Sequence, residues 1–345
     1  MQRSSLPRAA LLVGVLCAVL CLARVATASD AAATAGATET TGAVRTAEPK
    51  KAAHETLLED DFTALDLFEG IRRLRPRIRL LQEGVIDQDF GGSQIDLFES
   101  GLEASVVAPL SRVAVIRLAG SVSGAYYDFH GDETFIDTNR SGDPFDSLMS
   151  TQFQLEGRYQ ITDSWTIVGG SQFSSRWEEG SAYARGIQQG GFVGVGHLFG
   201  DRFSAVVGLG VRSRMGRGGV SLSPVVQLGW RITDNVEIET RGLGVNIAAR
   251  VSRDLTLYLI SGFPSESYRL GDRGDDVDRG VLIERNVPVR IGARLRISKR
   301  WRLRAFAGAV FYQRYTVEDS DGNFHDSAST SNPAFSGTLG LEYRF

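Results

Sequence analysis

The chain has 345 residues, with 38 Lys and Arg against 41 Asp and Glu, so its formal net charge is −3. That balance excludes a charge-driven nucleic-acid binder. A mean hydropathy of −0.10, with no long apolar run after Ala23, excludes a helical membrane protein.

Arg3 and Arg8 precede the apolar run Ala9–Ala23, and Ala26-Thr27-Ala28 offers a small-x-small cleavage pattern. Residues 1–28 are therefore expected to be a cleaved secretory signal peptide, the run being short for a membrane anchor. The two cysteines, Cys17 and Cys21, lie inside it. Leu16 and Leu20 precede them, where lipoprotein signals carry a small residue, so no lipid anchor is expected. The mature chain then has no disulfide, thiolate metal site or cysteine nucleophile. It is also more acidic, because residues 1–28 hold Arg3, Arg8 and Arg24 and no acid.

Residues 29–54 are rich in Ala and Thr and predict a disordered periplasmic linker. Residues 55–72 change character. Leu57, Leu58, Phe62, Leu65 and Phe68 suit one face of a short helix. Glu55, Glu59, Asp60, Asp61, Asp66 and Glu69 make the segment acidic, and it is expected to be a periplasmic segment or a plug.

From residue 73 to 345 the chain is a succession of alternating segments. In Phe203–Arg212, Phe203, Ala205, Val207, Leu209 and Val211 share one phase. In Val287–Ile297, Arg290, Gly292, Arg294 and Arg296 oppose Val289, Ile291, Ala293 and Leu295. One alternating strand fits a soluble sandwich. A long series with small or charged residues on the inward phase fits a wet lumen.

Short connections recur. Ile161-Thr-Asp-Ser-Trp165, Phe199-Gly-Asp-Arg-Phe203, Ile232-Thr-Asp-Asn-Val236, Val251-Ser-Arg-Asp-Leu255 and Ile297-Ser-Lys-Arg-Trp301 are one device, with Pro109-Leu-Ser-Arg112 a looser copy. Between them lie the longer polar segments 130–144, 178–185, 265–279 and 318–333, expected to be extracellular loops. Trp165, Trp230, Trp301, Phe199, Phe203 and Phe345 form an aromatic girdle at the short-turn end. Tyr126, Tyr127, Phe173, Trp177, Phe263 and Tyr315 form one at the loop end. Counting strands gives fourteen. The alternative is twelve, because 236–241 and 244–251 are short against the ~9–11 residues of a membrane strand.

In the final eleven residues, Phe335, Gly337, Leu339, Leu341, Tyr343 and Phe345 share one face. An apolar edge of this kind is hazardous in a soluble sheet and sensible in a barrel facing lipid. Phe335, Leu339, Leu341, Tyr343 and Phe345 resemble the C-terminal signal read by the barrel-assembly machinery. The region from about residue 70 to 345 resembles a bacterial outer-membrane β-barrel. Residues 281–345 are also similar to an uncharacterised outer-membrane barrel family known only as a domain of unknown function. The matching stretches are Asn286-Val-Pro-Val-Arg290, Trp301-Arg-Leu-Arg-Ala305, Asp321-Gly-Asn323 and the ending from Pro333-Ala-Phe335 to Leu341-Glu-Tyr-Arg-Phe345. The resemblance implies an all-β, antiparallel up-and-down transmembrane barrel, monomeric and located in the bacterial outer membrane. It brings no catalytic residues.

Enzyme chemistry finds little support. A lipid hydrolase needs a serine and an oriented histidine. His54, His130 and His325 fall in linker or loops, and His197 takes the outward phase near the short-turn girdle. Asp319-Ser-Asp-Gly-Asn323 and the acidic group Asp272, Asp275, Asp276 and Asp278 have oxygens for a divalent ion. The first lacks EF-hand order, and Asp-Gly-Asn is ordinary turn chemistry. No cofactor, metal or nucleotide motif is expected.

The best functional signal is a basic patch. Arg75, Arg77, Arg294, Arg296, Arg302, Arg304 and Arg344 share the inward phase on four strands that closure makes adjacent. The inward acids noted nearby are Glu103 and Glu342. Unpaired guanidinium groups in a narrow lumen would concentrate positive potential. The expected function is a pore for passive diffusion of small, anionic solutes. One alternative is a closed structural or partner-binding barrel plugged by residues 55–69. Another is a wall in which lumen charges simply pair. A lipid enzyme is the least favoured.

Overall fold

The computed structural model describes residues 74–90, 93–130, 145, 147–215, 218–271, 280–330 and 332–345. The expected signal peptide, linker and acidic segment, and the acidic group 272–278, lie outside those residues.

Sixteen strand segments form one sheet. The chain begins with β1 (Arg75–Asp89), β2 (Gln94–Pro109), β3 (Ala114–His130), β4 (Ser147–Gln160) and β5 (Trp165–Glu178). It continues through β6 (Ile187–Phe199), β7 (Phe203–Ser213), β8 (Val220–Thr233), β9 (Val236–Arg241), β10 (Gly244–Arg250) and β11 (Leu255–Ser261). It ends with β12 (Ser265–Arg269), β13 (Val281–Arg296), β14 (Trp301–Glu318), β15 (Phe324–Ser329) and β16 (Ala334–Arg344). Successive wall strands are antiparallel, and β16 pairs with β1 from Arg77 opposite Arg344 to Ile86 opposite Phe335. β11 and β12 lie in line along β13, and β15 and β16 lie in line along β14. The sheet is thus a closed antiparallel barrel of fourteen wall strands. The short β9–β10 hairpin is paired on both sides, which rules out the twelve-strand count.

The short turns are held as their sequences imply. In the first, the Thr162 hydroxyl accepts from the Ser164 and Trp165 N–H groups. Ser252 does the same for Asp254 and Leu255, and Ser298 for Arg300 and Trp301. A backbone bond closes each turn, as from Ile161 N–H to the Trp165 carbonyl at 2.8 Å. The hydroxyl replaces strand partners that the reversing chain loses.

Alternation sends one side-chain set outward. Leu80, Phe98, Leu209, Leu222, Ile291, Phe335 and Leu339 are all exposed by half or more. A belt of this extent around a closed sheet is the surface of a transmembrane barrel. Phe335, Leu339, Leu341 and Phe345 lie in it, and Tyr343 packs on Trp301 and Phe345 with ring centroids 4.9 Å from each.

Two expectations need correction. Segments 265–279 and 318–333 are not wholly loops, because each contributes a strand, β12 and β15. The reason is the length of β13 and β14, sixteen and eighteen residues, whose upper backbone groups need partners. Tyr127 and Tyr315 are not girdle residues either. They are 8% and 0% exposed and point inward. Alternation alone turns Tyr127 in and Tyr126 out. For Tyr315 a bulge decides. The β13–β14 register slips after Asn286, and Phe311 and Tyr312 both face outward. The extra residue reverses the phase, so Gln313, Tyr315 and Val317 are buried.

The lumen as candidate functional site

The lumen has two levels. At the short-turn level the inward phase is charged. Glu342 on β16, fully buried, receives Arg79 at 3.4 Å, Arg304 at 3.1 Å and its own neighbour Arg344. Glu103 on β2 receives Arg79 at 3.1 Å, Arg77 at 3.6 Å and Arg117 at 3.7 Å. Arg117 also reaches Glu156 on β4 at 3.0 Å. Glu83 clamps Arg290 through both carboxylate oxygens. The result is a ladder of carboxylates and guanidinium groups running from β13 to β4 across the seam. In a partly desolvated lumen such pairs hold each other's geometry.

The ladder brings Arg77, Arg304 and Arg344 together as the sequence placed them, but paired. The idea of unpaired guanidinium groups fails for these three. Arg294 and Arg302 are buried in the same wall, Arg294 over the Tyr258 ring with 5.5 Å to its centroid. Arg296 is half-buried at the strand end, and Arg75 is exposed at the rim. Sequence reasoning missed Arg79, Arg117, Arg290, Glu83 and Glu156. Each is visible in hindsight by phase, since Arg79 and Glu83 continue the Arg75–Arg77 parity, and Arg117 opposes Glu156 in register.

The second level, toward the long loops, is dry. Tyr127, Phe145 and Tyr315 meet across the lumen with centroids 4.8 to 6.3 Å apart. Val85, Ile95, Leu97, Leu148, Leu282 and Val317 surround them. A polar network threads this core. Glu284 accepts from Gln313 at 2.7 Å and from the Tyr127 hydroxyl at 3.3 Å, and Gln313 also accepts from Gln88. Buried polar groups persist when they are bonded like this. This level packs inward side chains of the wall strands against Phe145, which lies between β3 and β4.

The other candidates are structural. His197 packs between Trp165 and Phe199, with centroids 4.3 and 4.4 Å away, as a girdle residue. Asp319 is occupied by its own turn. Its carboxylate accepts from the Asn323 side chain at 3.0 Å and from the Asn323 and Asp321 N–H groups at 2.8 and 2.9 Å. Those donors, the Asn323 side chain foremost, hold it below the ordinary carboxylate range. Among the described residues no group of three or more acidic, His or Cys side chains is placed to hold a metal.

No protein-family model and no curated protein sequence matches the chain. Solved structures with a similar chain path include an outer membrane channel from Pseudomonas putida F1. It is 8% identical, covers 81% of this chain and 98% of that one, and has a TM-score of 0.43. A Pseudomonas aeruginosa FadL homologue is 9% identical over 82% and 92%, with a TM-score of 0.39. The Pseudomonas putida toluene transporter TodX is 11% identical over 82% and 91%, with a TM-score of 0.36. The fold of this chain stands on its own strand pairing.

Proposed function

We propose that this chain is an outer-membrane channel for small solutes, favouring anions, with a wet lower lumen and a gated upper end. The observation that carries the reading is the charge balance of the inward phase. On the inward phase of β1 to β4, β13, β14 and β16, arginines outnumber glutamates. A lumen of that kind attracts anions while its walls stay rigid. A packed soluble core would not hold such a ladder.

On this reading residues 1–28 direct export and 29–54 are a linker. The acidic segment 55–72 is drawn to the lumen arginines by charge. Outer-membrane lipid, the assembly machinery and a small solute are the partners, and no enzyme activity is proposed. The test is conductance of the refolded barrel in a planar bilayer under a salt gradient. The expected record is anion-preferring, with brief openings that lengthen when residues 29–69 are deleted. A folded barrel that never conducts, with or without those residues, defeats the channel. The packed aromatic level favours the second reading, a closed barrel that binds a partner, and silence in both records selects it.

A further inference from the structure

The wall strands do not all reach the same height. β8 has fourteen residues, whereas β9 has six and β10 seven. β9 accompanies β8 only from Gln227 to Thr233, and the hairpin turns at Gly242–Leu243. From Val220 to Val225, β8 pairs with β7 alone, and the Val226 carbonyl still accepts the Gly242 N–H at 3.2 Å. On the other flank β10 and β11 end level, with Val245 opposite Ser261, and β12 continues the β11 line along β13. Among the described residues the wall therefore has a notch between β8 and the β11–β12 line. Two strands separate these at its floor, so it is about three strand spacings, ~14 Å, across.

The notch lies within the lipid belt. Leu222 and Leu243 on its rim are 76% and 78% exposed, and Phe263 also points out. Hydrocarbon does not tolerate an open sheet edge. Unpaired backbone survives at membrane depth only against protein or water. Pro224, which lacks an N–H, sits in the bare stretch, where an edge position suits it. The notch is therefore an opening and not a lipid-sealed defect.

Behind it is a lumen cavity of about 240 Å³, lined in part by Gln188, Phe192, Arg212, Val225 and Gln227. Its way upward is roofed. β12 pairs with β13 on one side and meets β5 on the other, with Arg269 opposite Trp177. Glu178 accepts the Gly271 N–H at 2.7 Å, and Arg176 reaches Glu266 at 3.5 Å. The cavity is lined by one residue of each charge. Glu156 is taken up by Arg117 at 3.0 Å, whereas Arg212 bonds to Gln188 at 2.7 Å, with no described carboxylate within ion-pair distance.

We propose that the notch is a lateral portal through which a single-chain anionic amphiphile passes between the lumen and the outer leaflet. Its chain would lie against Leu222 and Leu243 and its head on Arg212. The proposal rests on the channel reading and adds both the route and the ligand class.

The test uses the full chain with Cys17→Ser and Cys21→Ser in liposomes, labelled with a fluorophore on one introduced cysteine and quenched by bromododecyl phosphate. Val225→Cys reports the portal, Leu81→Cys on β1 the far lumen wall and Leu222→Cys the lipid surface. Saturable quenching at Val225, several-fold above that at Leu81, is expected. It should weaken several-fold with Arg212→Gln. It should vanish when a Val-Thr pair inserted on each side of Gly242–Leu243 lengthens the hairpin to fill the notch. Heat-dependent gel mobility verifies that each variant is folded, and Arg212→Gln serves alone if the lengthened hairpin does not fold. Quenching at Val225 no greater than at Leu81, or unchanged by Arg212→Gln, overturns the proposal. This readout does not depend on conductance, so a silent channel with a working portal is told apart from an open channel with none.

Discussion

Glu342→Gln is the most informative single change in the ladder. Glu342 is fully buried and accepts from Arg79, Arg304 and Arg344. The amide keeps the shape and removes the charge that the three guanidinium groups share, while Arg79 keeps Glu103. Breaking a buried pair by removing one partner costs about 3–5 kcal/mol. Three donors converge on this one acceptor, so the upper end of that range is expected. A barrel of ordinary stability, on the order of 5–15 kcal/mol, would lose a large share of it. The assay is urea unfolding in lipid vesicles, followed by tryptophan fluorescence and gel mobility. Arg79→Gln and the double variant complete a cycle, whose coupling should fall at about 1–3 kcal/mol for groups in direct contact. A loss below about 1 kcal/mol, the level of an exposed ion pair, would refute the reasoning, because the cluster would then be solvated.

Phe145→Ala together with Tyr315→Ala should raise open time and unit conductance in planar bilayers, since their rings meet 6.0 Å apart across the lumen. Each should also cost about 3–5 kcal/mol if its neighbours cannot collapse into the space, which urea unfolding measures. Gly308→Val should destabilise the β13–β14 pair by about 1–3 kcal/mol, because a side chain there presses on the Val289 carbonyl and the Arg290 backbone. A neutral result in the same assay would mean that the two strands can part. The Asp319 turn has a pH dependence of known sign. Its carboxyl is held low by donors of the folded turn, so its contribution is complete above the ordinary carboxylate range. It is lost as pH falls through the lowered value. Exchange protection of the Asn323 amide should follow that titration and disappear in Asp319→Ala.

Strand identity was legible because period-two alternation and the hydroxyl-capped turns are both local signals. Val251-Ser-Arg-Asp-Leu255 contains its own donors, acceptors and reversal. The seam was legible for the same reason, since β16 alternates cleanly from Phe335 to Phe345. What lay outside local pattern was missed. Phe324–Ser329 alternates poorly and becomes a strand because β14 continues beyond β16 and offers it an edge. The inward turn of Tyr315 depends on one extra residue at Phe311–Tyr312, and no composition signal marks that slip. In the lumen, phase put Glu103 and Glu342 near the arginines but did not show which groups pair. Arg290 finds Glu83 across β14 and β16, the two strands between them, a distance that only ring closure sets.

The seam orders events in time. Arg79 and Glu342 are 263 positions apart, and they belong to the first and last wall strands. Until the final strand docks, Glu342 is hydrated and Arg79 lacks one of its two carboxylates. The desolvated knot cannot form early, so it stabilises no intermediate and rewards only completion. A barrel closed one residue out of register would turn Glu342 toward lipid and bring an outward leucine or tyrosine into the charged lumen. The knot therefore acts as a proofreading latch. It favours the one closure in which the first and last strands agree, and it gives misclosed barrels a reason to reopen.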